Sequence, residues 1–130
     1  MKLVEIGKNI LTNCINVKPG ENVLIVTDDE KDAIGQALDP AAKLLKAEAM
    51  LMTMTAREVS GQEPPAVVAA AMKAADVVIC PMKTSITHTR AKIEAAKAGA
   101  RIATMPGITE EMFAMGAMTA DYSRTYRAGD

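Results

Sequence analysis

The sequence has 130 residues, 49% of them apolar, and a formal net charge of −1 at pH 7, which suits one domain with a single core. It contains two tyrosines, one phenylalanine and no run of basic residues, so the basic and aromatic surface typical of nucleic-acid-binding proteins is absent. No apolar stretch approaches the roughly 20 residues of a membrane helix, and the N-terminus lacks the apolar core of a signal peptide. We therefore predict a cytoplasmic protein that binds neither nucleic acid nor membrane.

In the first segment, apolar residues recur at spacings of three and four and predict an amphipathic helix. They are Leu3, Ile6, Ile10, Leu11 and Cys14. A turn at residues 17–20 leads into NVLIVT, residues 22–27, which is a short apolar run without alternation. Such a run is typical of a strand that is buried on both faces of a parallel sheet.

Three later runs, at residues 48–54, 76–80 and 100–104, repeat this character. The four runs start at 22, 48, 76 and 100, so the starts lie 26, 28 and 24 residues apart. This is the spacing of strand–helix–strand units, and right-handed crossovers then favour the strand order 2-1-3-4. The sequence therefore predicts a three-layer α/β domain of the Rossmann or flavodoxin-like type, with a mostly parallel four-stranded sheet and helices on both faces.

The second helix is predicted to follow the acidic residues 28–30, of which Asp28 or Asp29 would cap it. Pro40 lies inside this helix and removes a backbone hydrogen bond, so we expect a kink or break near residues 36–39. No glycine ends the helix, because Lys46 and Ala47 stand in that place.

The third helix is predicted over residues 66–74. Ser60 and Glu63 have the spacing of a capping box ahead of it, and the two prolines that follow them suit the first turn of a helix. A fourth helix should lead from the polar segment after the third strand to Gly99, which is a good C-terminal cap.

Thr109 is predicted to cap a short fifth helix after the last strand. The remainder, residues 116–130, has no periodicity. We therefore predict a single α/β domain over residues 1–115 and a tail over 116–130 that leads to an absent C-terminal catalytic domain. The two cysteines, Cys14 and Cys80, fit no metal-ligand or redox spacing and are expected to be reduced thiols.

Ligands of open parallel sheets bind beyond the carboxyl ends of the strands, where the strand order reverses. Here that point lies between the first and third strands, and the loops at 28–30, 81–90 and 105–109 face it. The three carboxylates at 28–30 would repel a phosphate, which disfavours a dinucleotide-binding site. They fit helix capping better than a Mg²⁺ site.

The segment KTSITHTR, residues 83–90, is the most polar stretch at a strand end. It offers hydroxyls, one imidazole, two cations and a helix N-terminus, which suit a carboxylate or phosphate ligand. An alternative interpretation is that Thr84 or Ser85 caps the helix while the other side chains are solvated. The candidate binding residues are Lys83, Thr84, Ser85, Thr87, His88 and Arg90.

No catalytic residue and no metal ligand are predicted within these 130 residues. His88 is the only histidine, and no Cys or carboxylate lies at ligand spacing from it. The G-x-S-x-G turn of a serine hydrolase is also missing, and His88 is too close in sequence to Ser85 to suggest a catalytic triad.

Four segments carry a resemblance to a known family: NVKPGENVLIVTDDEK (16–31), REVSGQEPPAVVAAAMKAADVVI (57–79), SITHTRAKIEAAKAGARIATMPGITEEMF (85–113) and GAMTADY (116–122). Together they resemble the N-terminal domain of the thermophilic metallo-aminopeptidases, the aminopeptidase T and leucyl aminopeptidase-like family. The departures are Asp39-Pro40 and Lys46-Ala47, where an uninterrupted helix closed by glycine is expected.

This resemblance implies a parent hydrolase that releases N-terminal residues from peptides, with a divalent metal pair of Zn, Co or Mn. It also implies that all the metal ligands lie outside these residues, so the fragment alone would hold no cofactor and be inactive. The implied partners are its own C-terminal catalytic domain and a peptide substrate in the parent, and a second copy in a homodimer is a further candidate.

Two other functions are open. One is a free-standing α/β module that binds a small anion at residues 83–90. The other keeps the resemblance and changes the chemistry, because relatives of these aminopeptidases include iron-dependent dioxygenases that cleave the ring of hydroxylated pyridines. The chain would then be the N-terminal domain of such a dioxygenase.

Overall fold

The structure is a computed structural model, and it describes residues 3–118. Five helices and four strands alternate along this part of the chain: α1 (Leu3–Asn13), β1 (Asn22–Asp28), α2 (Asp32–Leu44), β2 (Glu48–Met54), α3 (Ala66–Ala74), β3 (Val77–Met82), α4 (Arg90–Lys97), β4 (Arg101–Pro106) and α5 (Glu110–Met118). None of these helices has the length and hydropathy to cross a membrane. The tail predicted from residue 116 stays a prediction, because residues 119–130 lie outside the described part.

The four strands form one parallel sheet in the order β2-β1-β3-β4, which confirms the predicted topology. One core cluster joins α1, α2 and α5 to one face of the sheet. A second cluster joins α3 and α4 to the opposite face. The result is a three-layer α/β domain with a helical layer on each side of the sheet.

The two central strands are the most deeply buried elements. Every residue of β3 is buried, and β1 is buried from Val23 to Asp28. The edge strand β2 is more open, since only Met54 is fully buried and Met50 is 46% exposed. The expectation of strands covered on both faces therefore applies to the centre of the sheet and not to β2.

Close packing of α2 on β1 depends on Gly35. A Cβ atom at this position would lie 2.8 Å from Cγ2 of Thr27, which is closer than real Cβ contacts come. Another glycine, Gly7, lets α1 approach α2, where a Cβ would lie 3.3 Å from the Cβ of Ala41. These two positions set how tightly one helical layer covers the sheet.

Helix α2 runs without interruption through Pro40, so a break at this position is wrong, while a kink stays a prediction. Proline removes one backbone donor and crowds the preceding turn. The helix continues because both sides of Pro40 are anchored in the core, by Leu38 before it and by Ala41 and Ala42 after it, all of which are fully buried.

Lys46 takes the place of the missing helix-ending glycine, with a φ of +68°. Lys46 N donates to Lys43 O (3.0 Å) and Ala47 N donates to Ala42 O (3.2 Å), the paired bonds of a Schellman motif. The same pattern ends α4, where Gly99 has a φ of +108°, as predicted. A lysine in this left-handed conformation is strained, whereas a glycine is not.

We expect Lys46→Gly to raise the free energy of unfolding by about 0.5–1 kcal/mol, since relief of the left-handed strain exceeds the entropy that glycine adds to the unfolded chain. Urea unfolding measures the change. The control is Lys43→Gly, three residues earlier in the helical part, which should lower the free energy by about 1 kcal/mol. Equal destabilisation by both variants would contradict this account of Lys46.

An ion pair joins separate strands at the amino edge of the sheet. Arg101, which starts β4, donates from both terminal nitrogens to the two carboxylate oxygens of Glu21, each at 2.8 Å. The same guanidinium donates to the backbone carbonyls of Ile15 and Asn16. The hydrogen bond from Arg101 lowers the pKa of Glu21 below its ordinary value.

Replacement of Glu21 by Gln should lower the free energy of unfolding at pH 7 by about 1 kcal/mol, because a bidentate but partly exposed bond is lost. Since the folded-state pKa of Glu21 is lowered, this stabilisation is present above the ordinary value of 4.5. It is lost as the pH falls through the folded-state pKa. The gap between wild type and variant should therefore shrink below pH 4.5 in urea unfolding.

The control for this pH dependence is Glu94→Gln, which alters an exposed carboxylate on α4. It should change stability little at any pH. A gap for Glu21→Gln that stays constant into the acid range would show that the ion pair does not carry the effect.

Candidate functional site

Three segments meet at the carboxyl edge of the sheet, around the point between β1 and β3 where the strand order reverses. They are residues 29–31 after β1, residues 55–65 between β2 and α3, and residues 83–89 after β3. We call residues 55–65 the β2–α3 loop. The candidate site consists of the side chains and backbone groups that hold these three segments together.

Asp28, the last residue of β1, is fully buried and links two of the segments. Its Oδ1 accepts hydrogen bonds from Glu30 N (3.0 Å) and Lys31 N (2.9 Å), while its Oδ2 accepts from Lys83 N at 2.7 Å. Burial of a carboxylate is costly unless it is hydrogen-bonded, and here three backbone donors meet that requirement. The loop after β1 is thereby fixed to the loop after β3.

The prediction that Asp28 or Asp29 caps α2 is wrong. Lys31 occupies the N-cap position of α2, and its own side chain makes no capping hydrogen bond. Instead, Oδ1 of Asp29 accepts a hydrogen bond from Ala56 N at 3.0 Å, so this carboxylate holds the start of the β2–α3 loop.

Lys83 is paired with an acidic side chain of the neighbouring loop. Its Nζ lies 3.2 Å from Oε2 of Glu30, and both side chains are partly exposed. The hydrogen bond that Lys83 donates to Glu30 raises the pKa of Lys83. The lysine is therefore positively charged, and a carboxylate of the same protein already balances that charge.

Three hydroxyl groups form a chain beside this pair. Ser85 Oγ donates to Thr87 Oγ1 (2.9 Å) and accepts from Thr87 N (3.1 Å). Thr87 Oγ1 in turn lies 3.5 Å from Oγ1 of Thr104, on β4. The sequence predicted the first two of these residues as site residues. It missed Thr104, which is distant in sequence and joins the group only because β4 lies beside β3.

The N-terminus of α4 is capped from two directions. Thr89, which is fully buried, accepts a hydrogen bond from Lys92 N (3.2 Å), so the alternative that Thr84 or Ser85 caps this helix is wrong. The Glu63 carboxylate also accepts from Arg90 N (2.7 Å) and Ala91 N (3.2 Å). An acidic group at this end also suits the helix dipole.

Glu63 therefore does not form the predicted capping box of α3. That helix begins after Pro65, without a side-chain cap. Ser60, the other predicted member, accepts a bond from Ser85 N (3.2 Å), and Gly61 N donates to Ser85 O (2.9 Å). Both side chains of the expected box thus dock the β2–α3 loop onto the segment after β3.

The remaining candidate residues lie around α4. His88 and Arg90 line an open groove, while Thr84 is half-buried in the segment before the helix. The other lining residues of the groove are Glu63, Ile93, Glu94 and Lys97. Between residues 3 and 118, no three His, Cys, Asp or Glu side chains group closely enough to hold a metal ion. Anion binding by residues 83–90 stays a prediction, and the helix amides expected to contribute already bind Glu63.

Replacement of Glu63 by Ala should expose the first amides of α4 and loosen the β2–α3 loop. We expect faster hydrogen exchange at Arg90 and Ala91, measured by NMR, and a free energy of unfolding lower by about 1 kcal/mol, as for loss of a helix cap. The control, Glu58→Ala, removes an exposed carboxylate of the same loop. Unchanged exchange in Glu63→Ala would refute the capping role.

Comparison with known proteins identifies relatives of this fold. The family model described as NicX, 2,5-dihydroxypyridine 5,6-dioxygenase, matches residues 2–130. The solved structure of 2,5-dihydroxypyridine dioxygenase from Pseudomonas putida KT2440 matches with a TM-score of 0.65 and 19% sequence identity. The match covers 80% of this chain and 33% of that one, so the chain spans about a third of the length of this relative. No curated protein matches.

These findings correct the aminopeptidase interpretation. The family model and the structural relative are both dioxygenases, so the inferred peptidase, its hydrolase chemistry and its pair of Zn, Co or Mn ions are wrong. The segments that carried the resemblance form β1, α3, β3, α4 and β4, which are the framework of the sheet. Such segments report the fold and not the chemistry. The alternative expectation, the N-terminal domain of a hydroxypyridine-cleaving dioxygenase, agrees with both matches.

Proposed function

Because the chain belongs to the NicX family of 2,5-dihydroxypyridine 5,6-dioxygenases, we propose that it is the N-terminal, non-catalytic domain of a dioxygenase that opens the ring of a hydroxylated pyridine. The observation that carries this proposal is the family match over residues 2–130. The related structure from Pseudomonas putida, three times as long as the matched part, supports a division of labour between this domain and a further part of the polypeptide.

The donor groups of this chain support the non-catalytic assignment. Ring-cleaving oxygenases with non-haem iron commonly hold the metal with two histidines and a carboxylate. This sequence contains one histidine, and it is exposed on the loop before α4. The residues of the chain therefore do not fit such an iron site by themselves, and we assign the metal and the oxygen chemistry to the rest of the protein.

The polar carboxyl edge of the sheet is the surface that we assign to the substrate side. Open parallel sheets present their ligand sites at this edge, and here it carries the hydroxyl chain of Ser85, Thr87 and Thr104 beside Lys83. Hydroxyl groups both donate and accept hydrogen bonds, which suits a small ring that carries hydroxyl groups and a ring nitrogen. The domain would thus line one wall of the substrate cleft.

The experiment compares the 130-residue chain with a chimera in which the chain replaces the matched third of the Pseudomonas putida dioxygenase. With Fe²⁺ and 2,5-dihydroxypyridine, we expect oxygen uptake and loss of substrate absorbance from the chimera and from the native enzyme, but not from the isolated chain. The chain alone should also bind no iron in a saturable manner.

Two results would refute the proposal. One is oxygen-dependent turnover by the isolated chain, which would place the catalytic groups within it. The other is a folded chimera that binds iron as the native enzyme does but leaves the substrate intact. A matched control, His88→Ala in the chimera, should retain iron binding, because this histidine is not assigned to the metal.

A further inference from the structure

The outer edge of β2 presents backbone groups that no residue between 3 and 118 satisfies. Glu48 N donates to Glu21 O, and Met54 O accepts from Asp29 N, so the even-numbered residues of β2 direct their backbone groups toward β1. The odd-numbered residues, Ala49, Leu51 and Thr53, therefore direct theirs away from the sheet, because successive residues of a strand alternate. Within the described residues β2 pairs only with β1.

The opposite edge of the sheet differs from β2, because one of its outward positions is a proline. At β4, Arg101 N donates to Asp76 O, so the outward positions are Ile102, Thr104 and Pro106. Proline has no N–H group, and proline at an edge is one of the devices by which proteins prevent strand addition.

Strand β2 has none of these devices. Its sequence EAMLMTM contains no proline and no lysine, and its register with β1 is regular over all seven residues, without a bulge. Met50 is 46% exposed, and Leu51 and Met52 are half-buried. A regular apolar edge of this length is a template for pairing with another strand.

We propose that this edge pairs with the same edge of a second copy of the chain. The two β2 strands would run antiparallel about a two-fold axis at Leu51, and two four-stranded sheets would become one continuous sheet. In this register Leu51 faces Leu51 of the partner subunit, and Ala49 faces Thr53 of the partner subunit. Ala49, Leu51 and Thr53 are the residues with outward backbone groups, so each of these pairs exchanges two backbone hydrogen bonds.

A second copy of the chain fits this edge because antiparallel pairing of two β2 strands is self-complementary and gives a closed dimer. Antiparallel pairing of one strand with itself is isologous, whereas parallel pairing of the same strand cannot close. On one face Met50 would pack against Met52 of the partner subunit, which buries the exposed part of its side chain.

Charge does not oppose this pairing. Glu48 is the only ionisable residue of β2, and the two copies of it would lie at opposite ends of the paired strands. Six residues separate them along the strand direction, about 20 Å at the rise of an extended chain. This exceeds the screening length of about 8 Å at physiological ionic strength.

The association is independent of the proposed catalytic context, and its test uses the 130-residue chain as it is. Sedimentation velocity over a concentration series should show a monomer–dimer equilibrium. Met50→Lys, which places a charge opposite an apolar side chain, should raise the dimer dissociation constant at least tenfold. Val67→Lys alters a valine that is 71% exposed and belongs to α3 instead of β2, and it should leave the constant unchanged.

A second variant guards against a folding defect. Thr53→Pro removes an outward N–H group and leaves the bonds to β1 intact, so the variant should fold, as judged by circular dichroism, and fail to dimerise. A chain that stays monomeric at 1 mM would assign the edge to another partner and overturn the proposal. A dimer that is equally sensitive to Met50→Lys and Val67→Lys would also overturn it.

Disulfide trapping tests the register directly. Leu51→Cys should form an intersubunit disulfide on oxidation, because the Cα atoms of a hydrogen-bonded antiparallel pair lie about 5.5 Å apart, within the disulfide range. The control is Thr53→Cys, on the same face of the strand. In the proposed register the two copies of position 53 are offset by four residues, so their thiols would lie about 14 Å apart. The wild-type chain reports any background from native cysteines. Equal trapping of both variants would refute the register.

Discussion

A single buried carboxylate organises the carboxyl edge of this domain. The side chain of Asp28 is fully buried, and it is stable there because three backbone N–H groups donate hydrogen bonds to it. One of these donors belongs to Lys83, which directly follows β3 and lies 55 residues from Asp28 in the sequence. The bond fixes the segment after β3, and that segment in turn provides the docking site for the β2–α3 loop. Without Asp28, the loops after the two central strands would still be joined by the partly exposed ion pair between Glu30 and Lys83, but they would lose this buried connection.

The sequence was sufficient for the framework and insufficient for the connections between loops. Strand spacing and apolar character predicted the order 2-1-3-4, since these are properties of contiguous residues. The role of Glu63 was not accessible in this way. Its spacing from Ser60 satisfies a local rule, yet the carboxylate binds the start of α4, 27 residues away. The tertiary contact prevailed because Pro65 leaves α3 without a side-chain cap, while α4 offers two amide donors. Lys46 shows the same limit, as its left-handed backbone appears only when the path into β2 is known.

The error in family assignment has a related origin. The segments that suggested an aminopeptidase build the sheet and its helices, and such segments are shared by proteins of different chemistry. A decision between peptidase and dioxygenase needs a set of metal ligands, and the one histidine of this chain does not supply such a set. The family match over residues 2–130 supplied what the framework could not. The fold places the hydroxyl groups of Ser85, Thr87 and Thr104 together, but whether they bind a substrate depends on the part of the protein that forms the other wall of the cleft.

Because β3 is buried, the reactivity of a cysteine within it reports local opening of the sheet. Cys80 lies in this strand, 1% exposed, and burial raises its pKa to about 12. Thiolate is the species that reacts with alkylating reagents, and the raised pKa keeps this thiol protonated at pH 7 in the closed state. Covalent labelling of this sulfur therefore requires the central strand to separate from its neighbours. The rate of labelling then measures how often the middle of the sheet opens, and no cysteine has to be introduced for the measurement.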